Sequence, residues 1–187
     1  MSEFEYLAVL VSLILGLGIA HLLLGVGRMI HRRDRAQPDA VHLLWTGAVF
    51  WTLILNWWVF FQAQSVTQWS FDYFLIVIVW AVLFFLLAVM LYPPDLPEDQ
   101  GYAAVFVRNR AWFLGLFAAT SFADIALTAA RGDLFDPPIY LPFALHFSAL
   151  GVIGIFVESR RFHVALAGYV LGIGLTWSLI VRRFLEA

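Results

Sequence analysis

The chain has 187 residues, of which 63% are hydrophobic and 13% are charged, and its formal net charge is −2. A soluble domain of this length would be about a quarter charged, so the composition is that of a membrane protein. The balanced charge gives no reason to expect a nucleic-acid partner. The chain contains no cysteine and no lysine, which excludes disulfides, thiolate metal sites, cysteine nucleophiles and Schiff-base chemistry.

Long apolar segments predict an all-α fold, a six-transmembrane-helix bundle forming a single domain over residues 1–187. A helix needs ~20 apolar residues to cross a hydrocarbon core ~30 Å thick. The first segment begins with acidic residues and exceeds the about 7–15 residues of a signal-peptide core, so we expect a membrane span there. The predicted spans are residues 4–26, 41–61, 71–91, 111–130, 139–157 and 163–181. A short interfacial helix is predicted around residues 102–107.

The distribution of arginine predicts the orientation of the bundle. Placing the N-terminus outside puts most arginines on the inner side, as the positive-inside rule requires, and places both termini on the outer side. The inner set is Arg28, Arg32, Arg33, Arg35, Arg108, Arg110, Arg160 and Arg161, and the outer set is Arg131, Arg182 and Arg183. A chain rich in Ala, Gly and Leu, with arginine as its only strongly basic residue, favours a multi-pass protein of a bacterial inner (plasma) membrane.

Asp124 is the acidic residue that lies deepest within the predicted spans. A carboxylate at membrane depth costs roughly 2.5–3.5 kcal/mol on insertion scales, so it normally has a partner or a function. Ser121 lies one helical turn before it, and three other polar side chains fall at a similar predicted depth: Asn56, His146 and Thr176. Because a histidine beside a carboxylate titrates near neutral pH, these five residues predict an ion or proton pathway, or a small-solute transporter.

Two other interpretations remain open at the level of sequence. The polar groups of a non-catalytic subunit, sensor or assembly factor would simply join the helices by hydrogen bonds. Alternatively, the histidines at the inner ends of the spans would ligate haem b or a quinone in a redox subunit; they are His21, His42 and His163. For His21, which shares a helix face with Gly18 and Gly25, the other expectation is a packed ring bonded to a neighbouring backbone carbonyl. No catalytic residues and no metal site are predicted, because the motifs of metalloproteases, serine hydrolases and phosphate-binding loops are missing. We therefore expect a protein that is not an enzyme and has no cofactor other than, at most, haem.

Two further sets of residues predict partners. The arginines at the inner ends of the spans are expected to contact lipid headgroups: Arg32, Arg33, Arg35, Arg108 and Arg110. Glycines at helical spacing predict close helix packing, Gly18 with Gly25 in the first span and Gly168 with Gly172 in the last. The partners expected from these patterns are the lipid bilayer, a second copy of the chain in a homo-oligomer, or a separate membrane subunit.

Overall fold

The computed structural model describes residues 2–31, 38–66, 69–94 and 101–180, and within them the regular structure is entirely helical. The helices are α1 (Glu3–His31), α2 (Ala40–Phe60), α3 (Phe71–Leu91), α4 (Tyr102–Arg131), α5 (Tyr140–Phe156) and α6 (Arg160–Ile180), with a short 3₁₀ turn at Phe61–Ser65. Five of these helices are long and apolar enough to cross a membrane. The remaining helix, α5, is also apolar but has only 17 residues. The prediction of an all-helical membrane protein is confirmed at this level.

The helix ends follow from capping residues in the sequence. Asp39 precedes α2, and its Oδ2 accepts hydrogen bonds from the backbone N–H groups of Val41 at 2.9 Å and His42 at 3.2 Å. Ser70 caps α3 in the same way. Gly132 ends α4 with a φ of 88°, a left-handed conformation that glycine adopts without a steric penalty.

Helix α4 is longer at its N-terminus than the sequence predicted. The expected interfacial helix at residues 102–107 and the span at residues 111–130 form one continuous helix, Tyr102–Arg131. Tyr102, Val105 and Phe106 are buried at the i, i+3 and i+4 positions of one helical face. Packing of this face against the bundle therefore continues the helix through the charged stretch at residues 108–110.

The packing places α2 at the centre, in contact with α1, α3, α4 and α6. Trp45 of α2 is fully buried, and its ring meets those of Phe113 and Phe117 edge-on at centroid distances of 4.9 and 5.2 Å. Helix α5 packs along α4 and α6 packs along α2, whereas the backbones of α5 and α6 hardly approach each other. The gap between α5 and α6 is consequently bridged by side chains.

At each end of the bundle, three helices begin and the other three end. We call the end where α1, α3 and α5 finish and α2, α4 and α6 begin the arginine-rich face, and the other end the opposite face. The arginines described at the arginine-rich face are Arg28, Arg108, Arg110, Arg160 and Arg161, and Arg131 is described at the opposite face. The assignment of the arginine-rich face to the inner side of the membrane stays a prediction.

Candidate functional site

Asp124 lies at the end of a chain of hydrogen bonds near the opposite face. Arg131 donates from a guanidinium nitrogen to Thr128 Oγ1 at 3.3 Å, and the Thr128 hydroxyl donates to Tyr140 Oη at 2.9 Å. The Tyr140 hydroxyl donates in turn to Asp124 Oδ2 at 2.7 Å. Every donor in the chain therefore points towards the carboxylate, and the last bond has the short length of a charge-assisted contact.

Local sequence explains how the chain of hydrogen bonds is assembled. Asp124 and Thr128 are four residues apart and share one face of α4, and Arg131 extends that face by one turn. Gly132 then turns the backbone away from α4, and the link over residues 132–139 brings α5 back alongside it. Because Tyr140 is the first residue of α5, its ring lies beside the last turns of α4.

His146 has a different partner, on α6. Its Nδ1–H donates to the Phe143 carbonyl one turn earlier, which leaves Nε2 as the acceptor of the neutral ring. The Tyr169 hydroxyl lies 2.9 Å from that Nε2 and donates to it. Phe147 packs against both rings, with centroids 4.1 Å from His146 and 6.0 Å from Tyr169. These aromatic side chains fill part of the gap between α5 and α6.

The structure thus gives Asp124 and His146 separate tyrosine partners on two sides of α5. Tyr140 and His146 are six residues apart, which corresponds to about 240° around a helix of 3.6 residues per turn. One of these side chains faces α4 and the other faces α6. The five predicted residues therefore do not form one cluster through the contacts described, and a direct Asp124–His146 pair stays a prediction.

The other three members of the predicted pathway have no described hydrogen bond to either pair. Thr176 donates to the Gly172 carbonyl of its own helix at 2.8 Å and is exposed at the bundle surface. The Asn56 side-chain nitrogen is buried and has no hydrogen-bond partner within the part of the chain that the structure describes. Ser121 is half-buried on α4, one turn from Asp124.

At the arginine-rich face, side chains from three helices cap the C-terminus of α3. His21 of α1 donates from Nε2 to the Tyr92 carbonyl at 2.9 Å, and His42 of α2 donates from Nε2 to the Leu91 carbonyl at 2.8 Å. Asn109 of α4 donates to the Met90 carbonyl at 3.3 Å. The last carbonyls of a helix have no partner within it, and in a membrane each unsatisfied group is costly. These three side chains supply the missing donors.

His42 is the most enclosed of the capping residues. Its side chain is 0% exposed, and the rings of Tyr92 and Tyr102 lie with centroids 4.7 Å from it. The Tyr92 hydroxyl is 3.1 Å from Thr46 Oγ1, which itself donates to the His42 carbonyl. Because Nε2 of His42 is a donor, Nδ1 is the acceptor of the neutral ring, and it has no partner among the described residues.

The predicted haem ligands are all engaged in helix capping. His163 donates from Nε2 to the Val157 carbonyl at the end of α5, at 2.7 Å, so its role matches those of His21 and His42. Ligation of iron through Nε2 would break the hydrogen bond that each ring donates to a backbone carbonyl. The rings of Tyr92 and Tyr102 also lie against His42 already. Haem or quinone binding at these histidines stays a prediction. The described residues contain no group of three or more His, Asp or Glu side chains placed to hold a metal ion.

The predicted packing glycines fall into two classes. A Cβ at Gly25 would lie 2.2 Å from the ring of Tyr92, and one at Gly18 would lie 3.4 Å from the side chain of Leu53. Both glycines therefore allow close packing against α1. A Cβ at Gly168 or Gly172 would meet nothing within 4 Å, so that side of α6 is open surface.

The predicted lipid-contact arginines are only partly described. Arg32, Arg33 and Arg35 lie outside the described residues. Arg108 is exposed, and Arg110 lies 3.7 Å from the Glu158 carboxylate.

Sequence reasoning missed an ion pair at this face. Arg160 donates to Asp39 Oδ1 at 2.8 Å and links the starts of α6 and α2. Burial alone would raise the pKa of Asp39, but the hydrogen bond from Arg160 and those from the backbone outweigh it and hold the pKa below its ordinary value.

The tyrosine partners were also missed at the level of sequence. Neither Tyr140 nor Tyr169 is among the candidate residues that the sequence predicts. The sequence contains one indication that Tyr140 could be a partner of Asp124. Tyr140 lies at the start of the helix that follows Asp124 and Thr128 after a short link. A hydroxyl there is within reach of the end of the preceding helix.

Comparison with known proteins adds no family to this geometry. The chain matches no family model, no curated protein and no solved structure. What the sequence and structure establish together is a protein whose described residues form helices, five of them long and apolar enough to span a membrane.

Proposed function

We propose that the protein conducts protons in a bacterial inner membrane and that Asp124 is the carboxylate that binds and releases the proton. The observation that supports this proposal is the ordered chain of donors from Thr128 through Tyr140 to Asp124. A hydroxyl both accepts and donates, so a chain of hydroxyls that ends on a carboxylate can pass a proton by shifts of successive hydrogen bonds. Carboxylates in such chains recur in membrane pumps and transporters.

The direction of the hydrogen bonds defines the two states of the chain. While Asp124 is ionised, it accepts from Tyr140, as in the structure. After a proton arrives from water at the Thr128 end of the chain, the carboxylic acid donates to the Tyr140 oxygen and the Tyr140 hydroxyl donates to Thr128. The Thr128 hydroxyl then donates to water, because the guanidinium of Arg131 has donors and no acceptor atom. Arg131 therefore ends the chain, and its positive charge favours the ionised carboxylate.

In this proposal, the pair formed by His146 and Tyr169 binds the proton after Asp124, on the other side of α5. Nε2 of His146 accepts from the Tyr169 hydroxyl, so this nitrogen is the proposed acceptor of the proton. Both side chains are partly exposed on the bundle surface, where a proton can be exchanged. Asn56, Ser121 and Thr176 remain polar lining in this proposal.

The test is proton flux into proteoliposomes that contain a pH-sensitive dye, with wild type and variants incorporated at equal amounts. We expect Asp124→Asn to abolish the flux, because an amide keeps the shape of the carboxylate and still accepts from Tyr140 but cannot carry a proton. Tyr140→Phe removes only the bridging hydroxyl and is expected to slow the flux about a hundredfold, the lower end of the range for one proton-transferring group. Asp133→Asn is the matched control, since it removes an exposed carboxylate beyond the end of α4.

Each outcome has a clear meaning. Loss of flux in Asp124→Asn, with the melting temperature retained and the Asp133→Asn control active, supports the proposal. Proton flux that Asp124→Asn leaves unchanged would remove Asp124 from the path. Flux of sodium or potassium in place of protons would change the conducted species and would favour the ion-channel form of the hypothesis.

The open face of α6 favours a second candidate, a non-catalytic membrane subunit. Gly168 and Gly172 form a GxxxG pattern, and a Cβ at either position would meet nothing within 4 Å. Small residues on an open transmembrane surface allow another helix to approach closely. Absence of proton and ion flux under every gradient, together with a second membrane protein co-purifying in mild detergent, would favour this candidate.

A further inference from the structure

The start of α6 carries a shallow depression whose lining is basic at one end and apolar at the other. It is lined by Arg160, Arg161, Val164 and Ala165. Val164 and Ala165 lie one turn beyond the two arginines, about 6 Å further along the helix at ~1.5 Å per residue. All four residues belong to a helix whose composition and length allow it to cross a membrane. The depression therefore joins a cationic rim at the helix start to an apolar surface at membrane depth.

The two guanidinium groups at the rim differ in their partners. Arg160 is fixed by Asp39, which is largely buried, through a contact of 2.8 Å, yet 66% of its side chain remains exposed. Arg161 is exposed and has no carboxylate partner among the described residues. One cation is thus held in place with most of its surface free, and the second is not neutralised.

The charge around the depression favours an anion. At the arginine-rich face the described basic residues outnumber the described acidic ones, Asp39 and Glu158. Asp39 and Glu158 are each occupied by an arginine of another helix, at 2.8 and 3.7 Å.

We propose that this depression binds one anionic phospholipid. Its phosphate lies against the guanidinium groups of Arg160 and Arg161, and an acyl chain lies along Val164 and Ala165. Arginine matches the geometry of a phosphate because its planar donors form two parallel hydrogen bonds. The apolar end of the depression distinguishes a lipid from free phosphate, since only the lipid has a chain to fill it. This site is independent of the proton chain at the opposite face.

The experiment is native mass spectrometry of the full-length protein after incubation with equal amounts of phosphatidylglycerol and phosphatidylcholine in detergent. We expect wild type to retain phosphatidylglycerol in preference to phosphatidylcholine. Arg161→Gln is expected to lower that retention about fivefold, the factor that corresponds to one arginine near an anionic lipid surface. Ala165→Phe changes no charge but fills the apolar end of the depression, and it should lower retention as well.

Arg28→Gln is the matched control, because it removes an exposed arginine of the same face outside the depression. Retention lowered by Arg161→Gln and Ala165→Phe but kept in Arg28→Gln supports the site. Equal losses in Arg161→Gln and Arg28→Gln, or wild-type retention in both Arg161→Gln and Ala165→Phe, would overturn it. Displacement of the lipid by inorganic phosphate, with Ala165→Phe unaffected, would likewise reject the lipid in favour of a simple anion site. Circular dichroism of each variant checks that the helices are retained.

Discussion

At the arginine-rich face, the side chains of His21, His42 and Asn109 donate to backbone carbonyls, whereas at the opposite face Thr128 and Tyr140 donate to other side chains. The first arrangement satisfies groups that α3 leaves unpaired at its end, and it has one stable form. The second joins side chains that can exchange donor and acceptor roles.

His42 and the tyrosine ring beside it are buried more deeply than Asp124 and the side chains proposed to exchange its proton. His42 and Tyr92 are 0% and 2% exposed, and the ring of Tyr92 is enclosed by α1, α2 and the start of α4. Asp124, Tyr140 and His146 are only partly buried. A polar residue inside a membrane protein is therefore better judged by what its hydrogen bonds satisfy than by its depth. Histidines that donate to the carbonyls of a helix end stabilise the fold, whereas a carboxylate bonded to hydroxyls is a candidate for proton transfer.

The largest effect is expected from Gly25→Ala at the arginine-rich face. The new Cβ would lie 2.2 to 2.6 Å from ring atoms of Tyr92, and that ring is held by Thr46 and packed against His42 and Tyr102. We expect unfolding in detergent to become easier by ~1–3 kcal/mol or more, as for other overpacked sites.

Gly27→Ala is the control for this substitution, because a Cβ there would meet nothing within 4 Å. Alanine is favoured over glycine within a helix, so the control should keep or raise the stability of wild type. Equal stability of Gly25→Ala and Gly27→Ala would show that the Tyr92 ring is not rigidly held and would weaken the contrast between the two faces.

His42→Phe is expected to have the next largest effect. Phenylalanine keeps an aromatic ring between Tyr92 and Tyr102 but leaves the Leu91 carbonyl without its donor. An unsatisfied buried acceptor costs about 1–3 kcal/mol, which denaturation with SDS would detect. His31→Phe is the matched control, because His31 donates to the Gly27 carbonyl at an exposed position where water can replace the ring.

The contrast would fail if His42→Phe were as stable as wild type but lost proton flux. That result would assign His42 to the conduction path and would move the functional site to the arginine-rich face. Stability lowered at unchanged flux is the outcome that the capping role requires.

The helices themselves were largely predictable from the sequence. The bounds of α3 were predicted at residues 71–91, where it is found, because the apolar run stops before Pro93, which cannot continue a helix. The start of α4 was predicted too late, since Arg108 and Arg110 suggested a segment outside the membrane. The burial of Tyr102 and Phe106 that extends the helix depends on neighbouring helices and has no counterpart in local hydropathy.

The partners of the polar residues were much harder to predict. The depth of each residue along its span could be estimated from the sequence, and the estimate placed Asp124 and His146 at a similar depth. Their rotation around the bundle depends on which helices are neighbours, and α5 separates the two side chains. Of the three histidine caps, only the bond of His21 to a nearby backbone carbonyl was expected from the sequence. The caps formed by His42 and His163 could not be predicted, because each one requires knowledge of which helix end lies beside which ring.

The smallest effect is expected from acid, at the pair of Asp39 and Arg160. The folded protein lowers the pKa of Asp39 below its ordinary value of 3.8, so the carboxylate is easier to protonate in the unfolded chain. The stability contributed by this group is therefore fully present above the ordinary pKa. It is lost as the pH falls from about 3.8 through the lower pKa of the folded state.

The measurement is the melting temperature of wild type and Asp39→Asn between neutral pH and pH ~3, across the ordinary titration range of aspartate. The Arg160 side chain is 66% exposed, so we expect the ion pair itself to contribute at most ~1 kcal/mol. Asp39→Asn should melt slightly lower than wild type at neutral pH and show a smaller decrease in acid, because asparagine still caps α2 but does not titrate. Asp133→Asn, at an exposed pair 3.9 Å from Arg131, should keep the acid profile of wild type. Identical profiles for wild type and Asp39→Asn would mean that Asp39 stabilises the arginine-rich face as a helix cap alone, and that Arg160 is held there by something other than its charge.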